Sequence, residues 1–257
     1  MVTDTALRKK SLSLSLVPGC QADDVFRLRY DVFNRELGEG LPESRDTARD
    51  VDRFDEFCEH LCVRDSQSNQ VVGTYRLLTR TRAVASTGFY SQSEFKLDAI
   101  YAMAEESAEI GRSCVHRDYR DGSVISLLWA GLAAFMKSRN VRYLMGCGSV
   151  HTTNPSEISR IYAYVRAQRG IESRVIIEPL AHLSVANFEP DLLVEDASTL
   201  RKGVPPLIKG YLRAGAKICG HPAIDPVFNT ADFFLFFDRA EIESRYGKHF
   251  LGRDLHV

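Results

Sequence analysis

Residues 109 to 120, Glu-Ile-Gly-Arg-Ser-Cys-Val-His-Arg-Asp-Tyr-Arg, bring together groups that suit acyl transfer. Glu109 is a carboxylate that could take a proton from a nucleophile, and the guanidinium of Arg112 follows three residues later. A polar turn comes next, and an apolar helix pattern from Val124 to Met136 begins directly after it. Because the N–H groups at the start of a helix can hold an anion, we expect this segment to carry the chemistry.

A regular strand would divide such a site, because Glu109 and Arg112 would point to opposite faces. Gly111 lies between them and favours a β-bulge, which would also free a backbone N–H for a reacting carbonyl. The sequence therefore predicts a bulge near Gly111. The alternative role for Glu109 is a salt bridge with Arg112 at the end of the strand.

Other polar residues lie upstream, at separate positions. Arg29 and Phe33 are one turn apart on the first predicted helix and would face the same direction. Arg76 lies on one face of a predicted strand, either at an edge or pointed into a site. Asp52 and Asp55 belong to Asp-Arg-Phe-Asp, a pattern that is usual in a solvated turn.

Composition excludes several classes of protein. The chain has 257 residues, 44% hydrophobic and 26% charged, with a formal net charge of -1. These values predict one sizeable core and give no reason to expect nucleic acid as a partner. Six scattered cysteines favour reduced thiols in a cytoplasmic protein. Cys58 and Cys62 lack the second ligand pair of a zinc site, so we expect no metal.

Membrane spans are not expected either. The first ten residues lack the apolar core of a signal peptide. The longest apolar run, Val124 to Met136, is shorter than the about 20 residues that cross a bilayer. Contact with the inner face of the cytoplasmic membrane would therefore be peripheral.

Hydrophobic periodicity predicts a mixed α/β chain without repeats or linkers, organised as a single domain over 1–257 with a C-terminal extension at about 171–257. Strands are expected at 12–16, 60–64, 71–79, 109–115, 141–148, 174–177 and 232–238. Helices are expected at 22–37, 124–140, 155–170 and 207–214 and in the tail after Arg239, with a turn-rich segment at 219–230.

This element order, with an acidic residue on a central strand before a turn and a helix, resembles the GNAT acyltransferase superfamily. The resemblance implies a central mixed twisted sheet flanked by helices, which binds the pantetheine arm of an acyl thioester. The polar residues also resemble those of the acyl-homoserine-lactone (autoinducer) synthases. The shared positions are Arg29, Phe33, Asp52, Asp55, Arg76, Glu109 and Arg112. Those synthases carry a tryptophan after the first helix for S-adenosylmethionine, where this chain has Glu36-Leu37-Gly38-Glu39-Gly40.

A further resemblance, from about Leu28 to Asp238, is to the ornithine N-acyltransferases that make the lyso form of ornithine lipid and are often described as haemolysin-like. It includes Glu-Ile-Gly-Arg-Ser-Cys-Val at 109–115, Asp-Tyr-Arg at 118–120 and Phe-Asn-Thr at 228–230. Its most specific piece is Pro-Pro-Leu-Ile-Lys-Gly-Tyr-Leu-Arg at 205–213. This likeness implies a 3-hydroxyacyl group on acyl carrier protein as donor and the α-amine of ornithine as acceptor.

The resemblance also gives the polar residues expected roles. Glu109 would be the base that takes a proton from the amine, with Arg112 beside it. The upstream arginines would bind the carboxylate of the acceptor, and the aspartates its side-chain ammonium. The expected acceptor-binding residues are Arg29, Phe33, Asp52, Asp55 and Arg76. An ion-pair network that ties the first loop to the sheet is the alternative.

The turn before the helix indicates the donor. Enzymes that use coenzyme A generally hold its pyrophosphate with a glycine-rich Arg-x-x-Gly-x-Gly loop, whereas residues 117–123 contain one glycine. Acyl carrier protein presents one phosphodiester and an acidic surface, which basic residues would suit. The expected phosphopantetheine-binding residues are Val115, Arg117, Arg120, Gly122 and Ser123, while Lys137, Arg139 and Arg142 either extend this surface or form a solvated rim. Beyond this thioester substrate we expect no cofactor.

Two alternatives remain open. One is an N-acyl amino acid synthase that acts on glycine, tyrosine or another amino acid, and the other is a non-enzymatic, haemolysin-like lipid-binding protein. His116, His151 and His221 are expected to be structural, because no serine or cysteine with a nucleophile elbow accompanies them.

Overall fold

A nine-stranded sheet organises the computed structural model, which describes residues 11–193 and 203–241. The strands are β1 (Leu12–Pro18), β2 (Glu59–Asp65), β3 (Val71–Thr79), β4 (Glu106–Val115), β5 (Val141–Val150), β6 (Ile171–Glu172), β7 (Lys217–Cys219), β8 (Ala223–Asp225) and β9 (Thr230–Asp238). The helices are α1 (Asp23–Tyr30), α2 (Ser44–Thr47), α3 (Arg80–Val84), α4 (Asp98–Tyr101), α5 (Ser123–Ser138), α6 (Pro155–Ala167) and α7 (Pro206–Ala214). A π-helical segment, Asp31–Leu37, continues α1 without a break.

The strand order is β1-β2-β3-β4-β5-β9-β7-β6, and β8 pairs with β9. Strands β1 to β4 form an antiparallel meander, whereas β4 and β5 are parallel because α5 connects them as a crossover. The last long strand, β9, pairs antiparallel with β5 on one side and with β7 on the other, so it is an interior strand of the sheet. The fold is the mixed, helix-flanked α/β sheet that the sequence predicts.

Strand β4 contains the expected bulge. Arg112 and Ser113 together lie opposite one residue of β3, Tyr75, so one extra residue is inserted directly after Gly111. Arg112 has a φ of +46°, a left-handed conformation that is uncommon outside glycine. Glu109 and Arg112 consequently line the same cavity, which a regular strand would have prevented.

Strands β4 and β5 separate halfway along their length. Their pairing ends at Glu109 and Met145, although both strands continue further. A Cβ added at Gly146 would lie 2.2 Å from the carbonyl oxygen of Ile110, so the backbones approach here more closely than any side chain permits. Beyond this contact the strands diverge and leave a cleft in the centre of the sheet.

Helix α5 covers one face of the sheet because its apolar stripe is buried. Val124, Leu128 and Phe135 are fully buried in the main core cluster with residues of β2 and β3. A Cβ added at Gly131 would come within 3.0 Å of Leu14 and Leu61, so a glycine lets the helix lie close to the sheet. This packing holds the start of α5 beside the end of β4.

Most element predictions are confirmed, and β3 has the predicted bounds. Asn154 caps α6, since its Oδ1 accepts hydrogen bonds from the N–H groups of Ser156 (2.9 Å) and Glu157 (3.4 Å). The predicted strand at 174–177 is wrong, because the Glu172 carboxylate accepts hydrogen bonds from the Arg174 backbone and side chain and folds the chain into a turn.

The segment predicted as turn-rich contains two short strands, β7 and β8. The predicted tail helix begins at residue 239, and residues 242–257 lie outside the described part of the chain. In the described ranges, no helix is long and apolar enough to cross a membrane.

Candidate active site

The cleft between β4 and β5 opens into a cavity of about 250 Å³, here called the acceptor pocket. Its walls come from the π-helical segment, from β3, β4, β5, β8 and β9, and from α7. Predicted site residues that line it are Phe33, Arg76, Glu109 and Arg112. Residues that the sequence analysis did not assign to a site and that line it include Tyr90, Cys147, Tyr211, Asp225, Phe228 and Asp232.

Behind one wall of the pocket lies a buried ion-pair network centred on Arg29. The Arg29 guanidinium is 0% exposed, and it donates to Asp55 at 2.7 and 3.0 Å and to Asp50 at 2.7 and 2.5 Å. Arg29 therefore has no free face for a substrate. Asp50 was missed by sequence analysis, because nothing local distinguishes it from the exposed acids of its loop.

Arg76 connects this network to the pocket. Its Nη1 donates to both carboxylate oxygens of Asp52, at 2.7 and 2.6 Å, and lies 3.4 Å from Asp55. Burial alone would raise the pKa of Asp55, but Arg29 and Arg76 outweigh it and hold that pKa well below its usual range. The pKa of Asp52 is lowered in the same way by Arg76, against the effect of burial.

Both aspartates are therefore ionised and already neutralised. The expected ion-pair network is present, and it leaves Asp55, whose side chain is 2% exposed, without access to an acceptor ammonium. Asp52 and Asp55 are both already paired with arginines, so neither has a free carboxylate for the predicted contact with the acceptor ammonium.

Arg112 is held more loosely than the other two arginines. Its Nε and Nη2 lie 3.6 Å from Asp50 and Asp52, beyond hydrogen-bonding distance. Its Cζ is 5.7 Å from the ring centroid of Phe33 and 5.3 Å from that of Phe228, which are cation–π distances. Arg112 therefore faces the pocket with hydrogen-bonding capacity to spare.

Glu109 is buried on the pocket wall and holds the loop that precedes α4. Its Oε2 accepts a hydrogen bond from the backbone N–H of Tyr90 at 2.8 Å, and its Oε1 accepts one from the N–H of Ser91 at 2.8 Å and another from the Ser91 hydroxyl. Burial raises the pKa of Glu109, although the bonds from Ser91 and Tyr90 oppose the rise. The alternative salt bridge with Arg112 is wrong, because the partners of Glu109 in the described structure are these donors.

Three buried carboxyl groups form a second charged region of the site. Glu94, Asp225 and Asp232 come from three separate segments, and each is at most 4% exposed. Burial and the two aspartates raise the pKa of Glu94 to about 9, and burial is also the main reason that the pKa of Asp232 rises to about 6. Ligand atoms of Glu94, Cys147 and Asp232 all lie within 4.8 Å of one another, so this cluster could hold a cation.

A larger cleft of about 850 Å³, here called the donor cleft, runs between β4, α5 and α7. Of the predicted donor-binding residues, Val115, Arg120 and Gly122 line it, whereas Arg117 and Ser123 are exposed residues of the same turn that do not. The N–H and hydroxyl of Ser123 both donate to Asp121, so an acid already caps α5.

The more distant basic residues have partners of their own. Arg120 forms a two-point ion pair with Glu36 at 2.6 and 2.8 Å. Arg139 pairs with Glu59 at 2.5 Å, and Arg142 pairs with Asp238 at 3.3 Å. These contacts favour the interpretation of Arg139 and Arg142 as a solvated rim.

An apolar recess of about 60 Å³ lies between α5, α7 and the sheet, lined by Ile110, Trp129, Leu132, Ala133, Met136, Leu144, Tyr211, Ala214, Phe237 and Arg239. Trp129 also lines the donor cleft, and Tyr211 also lines the acceptor pocket. Ser113, in the bulge, is shared by the donor cleft and the acceptor pocket. A thioester in the donor cleft and an acceptor in the pocket could therefore meet at the bulge, with the acyl chain entering the recess beside Ile110 and Tyr211.

Comparison with known proteins agrees with this architecture. Residues 28–130 match the family model described as "Acetyltransferase (GNAT) domain". The chain superposes with a TM-score of 0.52 on a CoA-dependent acyl-homoserine lactone synthase, BjaI, at 16% identity over 95% of this chain and 92% of that one. It also superposes with a TM-score of 0.52 on FeeM, an N-acyl amino acid synthase from uncultured soil microbes, at 10% identity over 92% and 95% of the two chains.

The fold and the divided sheet thus define an acyltransferase of the GNAT class. Within that class, the chain is 33% identical over 246 residues to an L-ornithine N(alpha)-acyltransferase of Agrobacterium fabrum, covering 90% of this chain and 82% of the relative. At this identity and coverage, the chain belongs to the L-ornithine N(alpha)-acyltransferase family.

Proposed function

We propose that this protein transfers a 3-hydroxyacyl group from acyl carrier protein to the α-amine of ornithine, forming lyso-ornithine lipid. The observation that carries the proposal is that the donor cleft and the acceptor pocket share Ser113 in the β4 bulge, while the apolar recess shares Ile110 and Tyr211 with the acceptor pocket. The name of the curated relatives supports ornithine as the acceptor. No cofactor takes part in this reaction, since the acyl group arrives as a thioester.

The acceptor is proposed to bind through its carboxylate to Arg112, with Arg76 beside it. Arg112 faces the pocket with ion-pair distances of 3.6 Å, whereas Arg29 is fully enclosed by aspartates. A planar guanidinium can bind a carboxylate with two parallel hydrogen bonds. Arg29, Asp52 and Asp55 then act indirectly, by fixing the position of Arg76. Phe33 would hold the Arg112 guanidinium at the correct angle through its ring.

The reaction then needs two proton movements. The amine nitrogen attacks the thioester carbonyl carbon, and Glu109 takes the proton from nitrogen directly or through one water molecule. The carbon–sulfur bond breaks, and the departing thiolate must gain a proton. Burial, with the neighbouring Tyr75, raises the pKa of Tyr211 well above its usual value, so this phenol stays protonated and can donate a hydrogen bond to the departing sulfur. The proton that Glu109 took from nitrogen is then transferred to the thiolate, which restores the Glu109 carboxylate. Tyr211 reaches the cleft from α7 and contacts the Tyr75 hydroxyl at 3.0 Å.

The donor is proposed to reach the bulge along the donor cleft, past Val115, Arg120 and Gly122. Arg117 and Ser123 lie on the outer part of this turn, where they would meet the carrier protein rather than its prosthetic arm. The Asp121 carboxylate beside the start of α5 opposes the pyrophosphate of coenzyme A more strongly than the single phosphodiester of acyl carrier protein, which supports the carrier protein as donor.

The direct test is an assay of the purified protein with 3-hydroxyacyl carrier protein, the matching acyl-coenzyme A, and a panel of ornithine, lysine, glycine and tyrosine. We expect amide formation on ornithine with the carrier-protein donor. Transfer to glycine or tyrosine in preference to ornithine would favour the N-acyl amino acid synthase alternative. Lipid mass spectrometry of cells that express the protein should find lyso-ornithine lipid, and an unchanged profile with folded protein would contradict the proposal.

The haemolysin-like alternative is separable by Glu109→Gln. If membrane lysis requires the lipid product, this substitution should abolish lysis and acyl transfer together. Lysis by a variant that transfers no acyl group would instead favour a non-enzymatic, lipid-binding role.

A further inference from the structure

We propose that Glu94, Asp225 and Asp232 form the binding site for the side-chain ammonium of the acceptor, so that this cluster, and not Asp52 or Asp55, selects a diamino acid. The inference rests on the proposed function and gives a role to Asp225 and Asp232, which line the acceptor pocket, and to Glu94, which lies next to Asp232. We call these three residues the acidic cluster.

The acidic cluster lacks the cations that neutralise other acids in the site. Among the residues that the structure describes, none of its three carboxyl groups forms an ion pair with arginine, lysine or histidine. Asp225 accepts hydrogen bonds from the N–H groups of Val227 (2.7 Å) and Phe228 (3.1 Å) and from the Tyr90 hydroxyl (3.3 Å). These bonds fix the carboxylate without cancelling its charge.

One carboxyl oxygen of the cluster has no hydrogen-bond partner in the described structure. Glu94 is 3% exposed, and its Oε1 is buried and unbonded, while its Oε2 accepts a weak hydrogen bond from the Cys147 thiol at 3.5 Å and its carboxyl group also interacts with that of Asp232. Asp232, whose ligand oxygen lies within 4.8 Å of that of Glu94, lines the acceptor pocket. A buried acceptor atom without a donor costs free energy, which a bound cationic donor would recover.

The acidic cluster is also separated from Glu109, the proposed base, by a distance that suits ornithine. Tyr90 donates its backbone N–H to Glu109 and its side-chain hydroxyl to Asp225, so one tyrosine spans the gap between the base and the cluster. The two amines of ornithine are separated by a chain of similar reach. An α-amine at Glu109 therefore places the second amine near the cluster while the carboxylate remains near Arg112.

An ammonium suits this donor set better than a metal ion does. A metal ion at this place would use the sulfur of Cys147 together with one oxygen each of Glu94 and Asp232. An ammonium group needs only oxygen acceptors, and it has three donors for three carboxyl groups.

The test compares ornithine with L-norvaline, which has the same carbon skeleton without the second amine. Asp232→Asn is expected to lower kcat/KM for ornithine by about 30- to 4,000-fold, the range for removing one partner of a desolvated charge pair, and to change kcat/KM for norvaline by less than about threefold. A second variant, Asp225→Asn, should also lower the ratio of kcat/KM for ornithine to kcat/KM for norvaline. The matched control is Asp238→Asn, on the same strand, because Asp238 is also buried, at 6% exposed against 2% for Asp232, but pairs with Arg142.

Binding gives a readout that is independent of catalysis. Ornithine should raise the Tm of the wild-type protein and of Asp238→Asn, but not of Asp232→Asn. Equal losses of kcat/KM for ornithine and norvaline, or an unchanged ratio, would overturn the inference. An ornithine preference that chelation abolishes and zinc restores would assign the cluster to a metal and also overturn it. A wild-type protein that acylates norvaline but not ornithine would contradict the proposed function instead.

Discussion

Replacing Arg29 by methionine should destabilise the protein strongly without removing any group that faces the pocket. The substitution leaves Asp50 and Asp55 buried without their main cation, and Arg29 itself is 0% exposed. Removing one partner of a buried ion pair costs about 3–5 kcal/mol of unfolding free energy. For a protein of this size that loss lowers Tm by about 6–20 °C, which differential scanning calorimetry measures directly.

The control is Arg27→Ala on the same helix. Arg27 also pairs with an aspartate, Asp23, at 2.8 Å, but both side chains are about half exposed or more. Solvent screens such a pair, so its loss should leave Tm almost unchanged. If Arg29→Met and Arg27→Ala unfolded at the same temperature, the buried network would not be the stabilising feature that its geometry indicates.

The destabilisation should also depend on pH with a definite sign. Because the folded-state pKa of Asp55 lies below its unfolded value of about 4, its ion pairs stabilise the wild type above that pH. This contribution is lost as the pH falls through the folded-state pKa. The difference in Tm between wild type and Arg29→Met should therefore be largest near neutral pH and shrink below about pH 4. A difference that grew at acid pH would refute the reasoning.

Three further outcomes are expected. Glu109→Gln should lower kcat about 10²- to 10⁴-fold in a steady-state assay with little change in donor KM, and a loss below threefold would exclude Glu109 as the base. Arg112→Lys, which keeps the charge but not the two-point geometry, should raise KM for ornithine more than it lowers kcat, and an unchanged KM would remove the carboxylate assignment. Gly146→Ala should lower Tm because its Cβ would lie 2.2 Å from a backbone oxygen, and a Tm equal to that of wild type would contradict the close approach of β4 and β5.

Local sequence features predicted the parts of the site that depend on local geometry. The bulge followed from the opposite parity of Glu109 and Arg112 together with Gly111, all within four consecutive residues. Strand β3 and the cap of α6 were likewise predictable, since each is determined by its own residues.

The acidic cluster was not predictable in this way, because its members are joined only by topology. Asp232 is near the start of a strand that inserts beside β5, and this position brings it to Glu94, more than a hundred residues earlier in the chain. From the sequence alone, Asp232 is interpreted as a charged residue at the end of a buried strand and not as part of a site. The burial of Asp50 was hidden for the same reason, since it depends on Arg29 from another element.

Because of the π-helical segment after α1, the number of residues between Arg29 and Phe33 is expected to affect acceptor binding. A π-helical turn contains about one residue more than an α-helical turn. In an α-helix, successive side chains are rotated by about 100° around the helix axis. Phe33 lies on the π-helical segment and contacts Arg112, while Arg29, on the α-helical part, points into the ion-pair network. Deleting Asp31, an exposed residue, would convert the turn to an α-helix and rotate Phe33 away from Arg112 with no change in any pocket side chain. The interval between Arg29 and Phe33 is therefore expected to tolerate substitution but neither insertion nor deletion.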